Sequence, residues 1–242
     1  MRRRLRWRLP LSGGRCCAYC RGARDGFGDR TASCPTSGRL KQRARPLEKA
    51  WVRVLREARA RVREDFMLRD AGIEGIDPQD RRQIELVASG LPFCHGVPVA
   101  VDASLVSPVR ADGVPHKGAA DRPGVALREA EKRKARTYPE LLGSSRLRLL
   151  TAASEIGGRM NAAARGQLET AAHARARDEP APLRRAAAHR WYCRWVVMLG
   201  VAVQDAVAAT LVDDGRALVD AADGFAPSAV DLWLDDGAFA AW

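Results

Sequence analysis

Val97-Pro98-Val99-Ala100-Val101-Asp102-Ala103-Ser104-Leu105-Val106-Ser107 is an apolar run with a single carboxylate near its centre. Its valine content and short length favour a buried strand over 97–107. The run before it, Arg81-Arg82-Gln83-Ile84-Glu85-Leu86-Val87, reads as a strand near 82–88 and also embeds one carboxylate. Ser89-Gly90-Leu91-Pro92-Phe93-Cys94-His95-Gly96 between them has the composition of a hairpin loop. A carboxylate inside a buried strand is costly unless it is paired or binds a metal. Two on neighbouring strands point to a metal site on a sheet. The competing reading puts Glu85 at an exposed edge and bonds Asp102 to a backbone amide or an arginine.

Working outward, Leu47, Trp51, Val54, Leu55, Ala58, Val62 and Phe66 recur at helical spacing, so an amphipathic helix is expected over 46–65, opened by Pro46. Its opposite face carries Arg53, Arg56, Arg59 and Arg63, either as a solvated face or laid along a phosphate backbone. A strand near 65–69 is a weaker alternative for the end of that stretch. Downstream, a charge-dense helix is expected at 124–138, a third strand at 147–152, a helix at 159–176 and a long helix at 183–211. This order indicates an α/β or α+β domain: a small central mixed sheet flanked by helices, with a long C-terminal helix.

The net charge of +12 is unevenly spread. Residues 1–64 hold 19 Lys and Arg against 5 Asp and Glu, whereas 213–242 hold seven Asp against one Arg. A basic N-terminal quarter favours a polyanionic partner, most simply nucleic acid. The Arg-rich opening lacks the apolar core of a secretory signal, although a transit peptide fits its composition. Gln204 and Asp205 interrupt the most apolar stretch, 195–211, which argues against a membrane partner. Cysteines clustered near the N-terminus, with no secretory signal, indicate an intracellular, reducing compartment.

Alternation along the central strand places Asp102 and Ser104 on one face and Val99, Val101, Ala103 and Leu105 on the other. If the two strands pair, Glu85 and Asp102 converge across the ladder. Carboxylates so close repel unless a cation lies between them. Mg²⁺, or Mn²⁺, suits such oxygen ligands and leaves room for water and phosphate. A lysine from the following helix, Lys134 or Lys132, would then orient or deprotonate an attacking water, the logic of metal-assisted phosphodiester hydrolysis.

Several motifs occur in a telling order. They are Cys17-x-x-Cys20, Gly28-Asp29 followed by Cys34-Pro35, the Arg-Arg-x-x-Glu-Leu-Val strand, and Val-Asp-Ala-Ser-Leu-Val-Ser-Pro. Glu131-Lys132-Arg133-Lys134-x-x-x-Tyr138 and Glu155-x-Gly157-Gly158-Arg159 complete the series. Over roughly residues 5–210 the chain resembles the C-terminal part of non-LTR retrotransposon polyproteins. There a zinc-knuckle-like element precedes a restriction-like endonuclease of the PD-(D/E)XK superfamily. The resemblance implies a nuclear protein that nicks target DNA so that a reverse transcriptase of the same element can extend the exposed end. It puts Glu85 at the first metal-binding acid and Asp102 at the (D/E) position. Ser104 stands where a lysine is expected, so that lysine is absent or supplied by the helix as Lys134, with Tyr138 in support. These departures bear on activity rather than on the fold.

The resemblance also implies a boundary scheme: a basic arm with a degenerate knuckle at 1–40, the endonuclease-like domain at 41–212 and an acidic tail at 213–242. For Zn²⁺, Cys17, Cys20 and Cys34 supply three ligands of the four that a structural site needs. Arg30 occupies the place where the family tends to have a histidine, and arginine cannot coordinate a metal. Cys16 or Asp29 would have to complete the set; otherwise the element is a remnant with free thiols. Two functions follow: a Mg²⁺-dependent endonuclease-like domain that binds and nicks DNA, or a non-catalytic binder of DNA or RNA. Cys94, Cys193 and the four histidines lack partners at ligand spacing, and Trp191 and Trp195 read as core.

Overall fold

The structure is a computed structural model and describes residues 39–110 and 114–211. Its elements run α1 (Arg39–Glu57), β1 (Arg61–Met67), β2 (Gln83–Ser89), β3 (Val99–Val106), α2 (Val125–Thr137), β4 (Arg148–Glu155), α3 (Ala162–Arg175) and α4 (Arg184–Leu211). The four strands form one mixed sheet in the order β1-β2-β3-β4. β1, β2 and β3 are a meander of antiparallel neighbours, and β4 lies parallel to β3. A parallel pair requires a crossover, and α2 is in that crossover. The mixed α/β architecture with a long C-terminal helix therefore holds.

The two faces of the sheet are covered unequally. Leu86, Ala88, Val99, Val101, Ala103, Leu105, Leu150 and Ala152 face the large core, where α1, α3 and α4 pack. α1 contributes Leu47, Trp51, Val54 and Leu55; α4 contributes Trp195, Met198, Leu199 and Val203. Glu57 joins these helices by accepting hydrogen bonds from Trp195 Nε1 at 2.8 Å and from Arg194 and Arg53. α4 is long and apolar enough to cross a membrane by length and composition. Trp195, Met198, Leu199, Ala202 and Val203 on one side of it pack into this core, while Val197 is exposed. The opposite sheet face carries only small clusters: Val87, Ala100, Tyr138 and Leu141 in one, and Leu127, Ala130 and Ala153 under α2 in another.

Two expectations need correction. The helix expected over 46–65 begins earlier, contains Pro46, and ends at Glu57; 61–67 is an edge strand. Val62 and Phe66 continue the helical spacing by coincidence, because Arg59 adopts a left-handed φ of 68° that ends the helical path. Charged side chains on β1 protect the open edge of the sheet. Strict alternation also fails beyond Asp65, whose φ is 53°. Past that point Phe66 and Ile84 cluster with Val87 and Ala100 rather than with Leu86.

Candidate active site

Asp102 lies in the middle of β3 and is 1 % exposed. Such a carboxylate needs partners for both oxygens. Ser104 Oγ, two residues along the same strand face, donates to Oδ1 at 2.9 Å. Lys134 Nζ lies 2.5 Å from Oδ2. The lysine comes from α2, whose buried stripe is Leu127 and Ala130. Lys134 extends that stripe by one turn, at the i, i+3, i+7 spacing that keeps side chains on one face. Lys132 is two positions out of phase and instead pairs with Glu129 at 3.1 Å in solvent. Of the two lysines expected for the site, helix phase brings in Lys134 and leaves Lys132 outside.

Glu85 enters from β2. The β2–β3 ladder spans only three pairs, ending at Leu86 and Val101. Where it ends, Glu85 Oε2 accepts the amide of Ala103 at 2.7 Å. Burial, reinforced by the neighbouring charge of Asp102, pushes the Glu85 carboxyl up to about 8, although Lys134 and the Ala103 amide pull the other way. Asp65, whose φ is 53°, interrupts the β1–β2 register between Glu64↔Leu86 and Phe66↔Ile84, and its carboxylate accepts a hydrogen bond from Gln83 Nε2 at 2.9 Å. Tyr138 follows α2 and donates its hydroxyl to Gln83 O at 3.0 Å, tying the end of the helix to β2. Burial, with Asp102 and Glu85 nearby, raises its hydroxyl to about 12. Arg82 reinforces that tie: it donates to Thr137 O at 2.5 Å and pairs with Asp80 and Glu140.

The site borders a cleft of about 880 Å³, with Asp102 buried behind its wall. Glu85, Ser104 and Lys134 form part of its wall, with Asp65 and the Glu48 of α1. Arg45 from α1, Arg133 from α2, and Arg110 and His116 from the β3–α2 connection line the same space. An anionic ligand in this cleft would meet Arg45, Arg110 and Arg133 alongside the acids Glu48, Glu85 and Glu129. No protein-family model, curated protein or solved structure matches the chain.

Among the described residues, no set of three or more His, Cys, Asp or Glu side chains is disposed to hold a metal ion. Mg²⁺ asks for less, since one or two carboxylates with waters and substrate phosphate suffice. Glu85 and Asp102 fit that requirement, because their mutual repulsion is the kind a cation relieves. Cys17, Cys20 and Cys34 lie outside the described residues, as do the basic arm at 1–38 and the acidic tail.

The arginines expected on one helix face are dispersed. Arg53 pairs with Glu57 and Arg56 with Glu64. Arg59 reaches Asp178, and Arg63, on β1, lies over the Phe66 ring. The arginines that line the cleft are instead Arg45, Arg110 and Arg133, which periodicity did not single out. Glu48 and Asp65, both on the cleft wall, were missed too.

Proposed function

We propose that the chain is a retroelement-derived, metal-dependent DNA endonuclease-like domain. The observation that carries this reading is the convergence of Glu85 from β2 and Lys134 from α2 on the Asp102–Ala103 segment of β3, at the wall of a cleft lined by both arginines and acids. A small mixed sheet flanked by helices is the architecture that the resemblance to restriction-like endonucleases implies, which supports the same reading. Glu85 and Asp102 would hold Mg²⁺ or Mn²⁺. When bound, the metal supplies Lewis-acid polarisation of a phosphodiester and stabilises developing negative charge.

The chain's own residues do the rest. Lys134 takes the place that Ser104 leaves without a lysine and presents its ammonium beside Asp102, where it orients water toward phosphorus. Ser104 holds Asp102 Oδ1 and fixes the carboxylate plane. Arg45, Arg133, Arg110 and His116 receive the phosphates flanking the scissile one, with an affinity that falls as salt rises. Tyr138 and Arg82 fix the end of α2 against β2. The nucleus, and a reverse transcriptase of the same element, are the matching location and partner. The cysteine element would take Zn²⁺ if a fourth ligand completes it.

One observation favours the rival, a non-catalytic binder of DNA or RNA. Lys134 and Ser104 already occupy both oxygens of Asp102, so a metal must compete with an ion pair. Supercoiled plasmid incubated with the protein and Mg²⁺ or Mn²⁺ separates the two. Nicking by the parent that is lost in Asp102→Ala, with DNA binding retained, is expected for the nuclease. Binding without nicking, or equal nicking by both proteins, would establish the rival.

A further inference from the structure

We propose that Asn161 is the positioning residue of this site, holding α2 at the height and roll that set Lys134 on Asp102. The proposal rests on the nuclease reading for its catalytic meaning, but its geometry stands independently.

The argument begins on β4. Its parallel register places Thr151 beside Asp102. β4 is the outer strand, so its far edge needs partners. The Glu-x-Gly-Gly-Arg segment provides them. Gly158, with a φ of 84°, lets the chain turn, and its amide bonds Glu155 O at 2.7 Å. The returning chain then pairs with β4: Glu155 N donates to Arg159 O, Met160 bridges to Ser154, and Asn161 N donates to Ala153 O at 3.0 Å.

At Asn161 this short pairing stops, because α3 starts at the next residue and Asn161 O accepts from Arg165 N. The side chain continues where the backbone leaves off. Asn161 is 4 % exposed, and its Nδ2 donates to Thr151 O at 2.7 Å and to Glu131 Oε1 at 2.5 Å. One amide group thus joins the β4 edge, in the row of Asp102, to α2. Glu131 precedes Lys134 by three positions, so the two lie along one side of the helix.

Packing alone leaves this helix weakly fixed. Its buried contribution is Leu127 and two alanines, against Ala153 of the sheet. Side chains that small resist rolling poorly, so polar ties decide the orientation. Arg82 and Tyr138 hold the C-terminal end; Asn161 holds the middle. Its Oδ1 has no hydrogen-bond partner, so the donor end alone sets the orientation of this buried amide.

The test reads the lysine directly. Acylation of Lys134 by an amine-reactive reagent at fixed pH is followed by peptide mass spectrometry, with solvent-exposed Lys132 as the internal reference. Asn161→Ala and Glu131→Ala should each raise Lys134 labelling several-fold relative to Lys132. Glu131→Gln, which keeps an acceptor oxygen, should match the parent. Glu131→Ala leaves the Asn161–Thr151 bond in place and guards against a simple folding defect. In the nicking assay, kcat should fall about tenfold, equivalent to about 1.4 kcal/mol of barrier, with Kd for DNA unchanged. Unchanged Lys134 labelling in both alanine variants overturns the proposal. So does a rise in Asn161→Ala alone, which would make Asn161 an edge cap only. A parent that does not nick defeats the nuclease reading, while the labelling still decides the positioning role.

Discussion

Replacing Glu85 by glutamine tests the electrostatics of the site at their most stressed point. The glutamine Oε1 can still accept the Ala103 amide at Glu85's position, so the fold loses no hydrogen bond. What disappears is a titration. Burial and Asp102 raise the carboxyl from 4.5 to about 8 in the folded protein. Below 4.5 both folded and unfolded chains hold the proton, and Glu85 contributes no pH dependence. Between 4.5 and about 8 the unfolded chain releases the proton while the folded chain keeps it, so stability declines as pH rises. Above about 8 both are ionised and the loss is complete.

At about 1.4 kcal/mol per pH unit, the ceiling on that loss is roughly 5 kcal/mol. Partial exposure of Glu85 at the cleft screens the charge and reduces the loss to about 2–3 kcal/mol. Urea denaturation of both proteins at pH 5, 6.5, 8 and 9 measures it. The Glu85→Gln curve should coincide with the parent at pH 5 and lie above it by pH 9. Subtracting the curves cancels the pH dependence of the other charges. Mg²⁺ favours the ionised acid, so it should restore the parent at pH 9 by about 2.7 kcal/mol when present at about a hundred times its Kd. It should do little for the variant. Parallel parent and variant curves across this range would refute the claim that Glu85 is buried beside a second charge.

Three further outcomes follow from the same geometry. Glu57→Ala strands the indole N–H of the fully buried Trp195 and removes the Glu57 ion pair of Arg194, so thermal or urea denaturation should show a loss of about 2–3 kcal/mol. Tyr138→Phe removes the hydroxyl that bonds Gln83 O and should cost about 1 kcal/mol by urea denaturation. Arg133→Ala, assayed by DNA titration at several salt concentrations, should lower affinity uniformly across sequences and reduce the salt slope by about one unit. An unchanged slope would remove Arg133 from the phosphate-binding surface.

What the sequence determined rests on short-range periodicity. Valine-rich runs with a two-residue repeat define β2 and β3 and place Asp102 and Ser104 on one face, because alternation is a property of the extended backbone itself. The 183–211 helix was likewise legible, since a basic start leads into a long apolar run through Trp195, Met198, Leu199, Val203 and Val207. β1 was not legible: an edge strand is charged on its open side, and Ala58, Val62 and Phe66 mimic a helical stripe. The motif series also named Lys134 and Lys132 together, whereas only the roll of α2 on β4 separates them.

Tertiary structure alone decided the remainder of the site. Asp65 reaches the cleft wall only through the pairing of β1 with β2 and a left-handed backbone at its own position. Asn161 joins Thr151 to Glu131 across 10 and 30 residues, a contact that no local pattern encodes. Strand and helix tendencies are written residue by residue in the chain. The meeting of Glu85, Asp102 and Lys134, and the tie through Asn161, are fixed only when the sheet pairs and α2 settles onto its less crowded face.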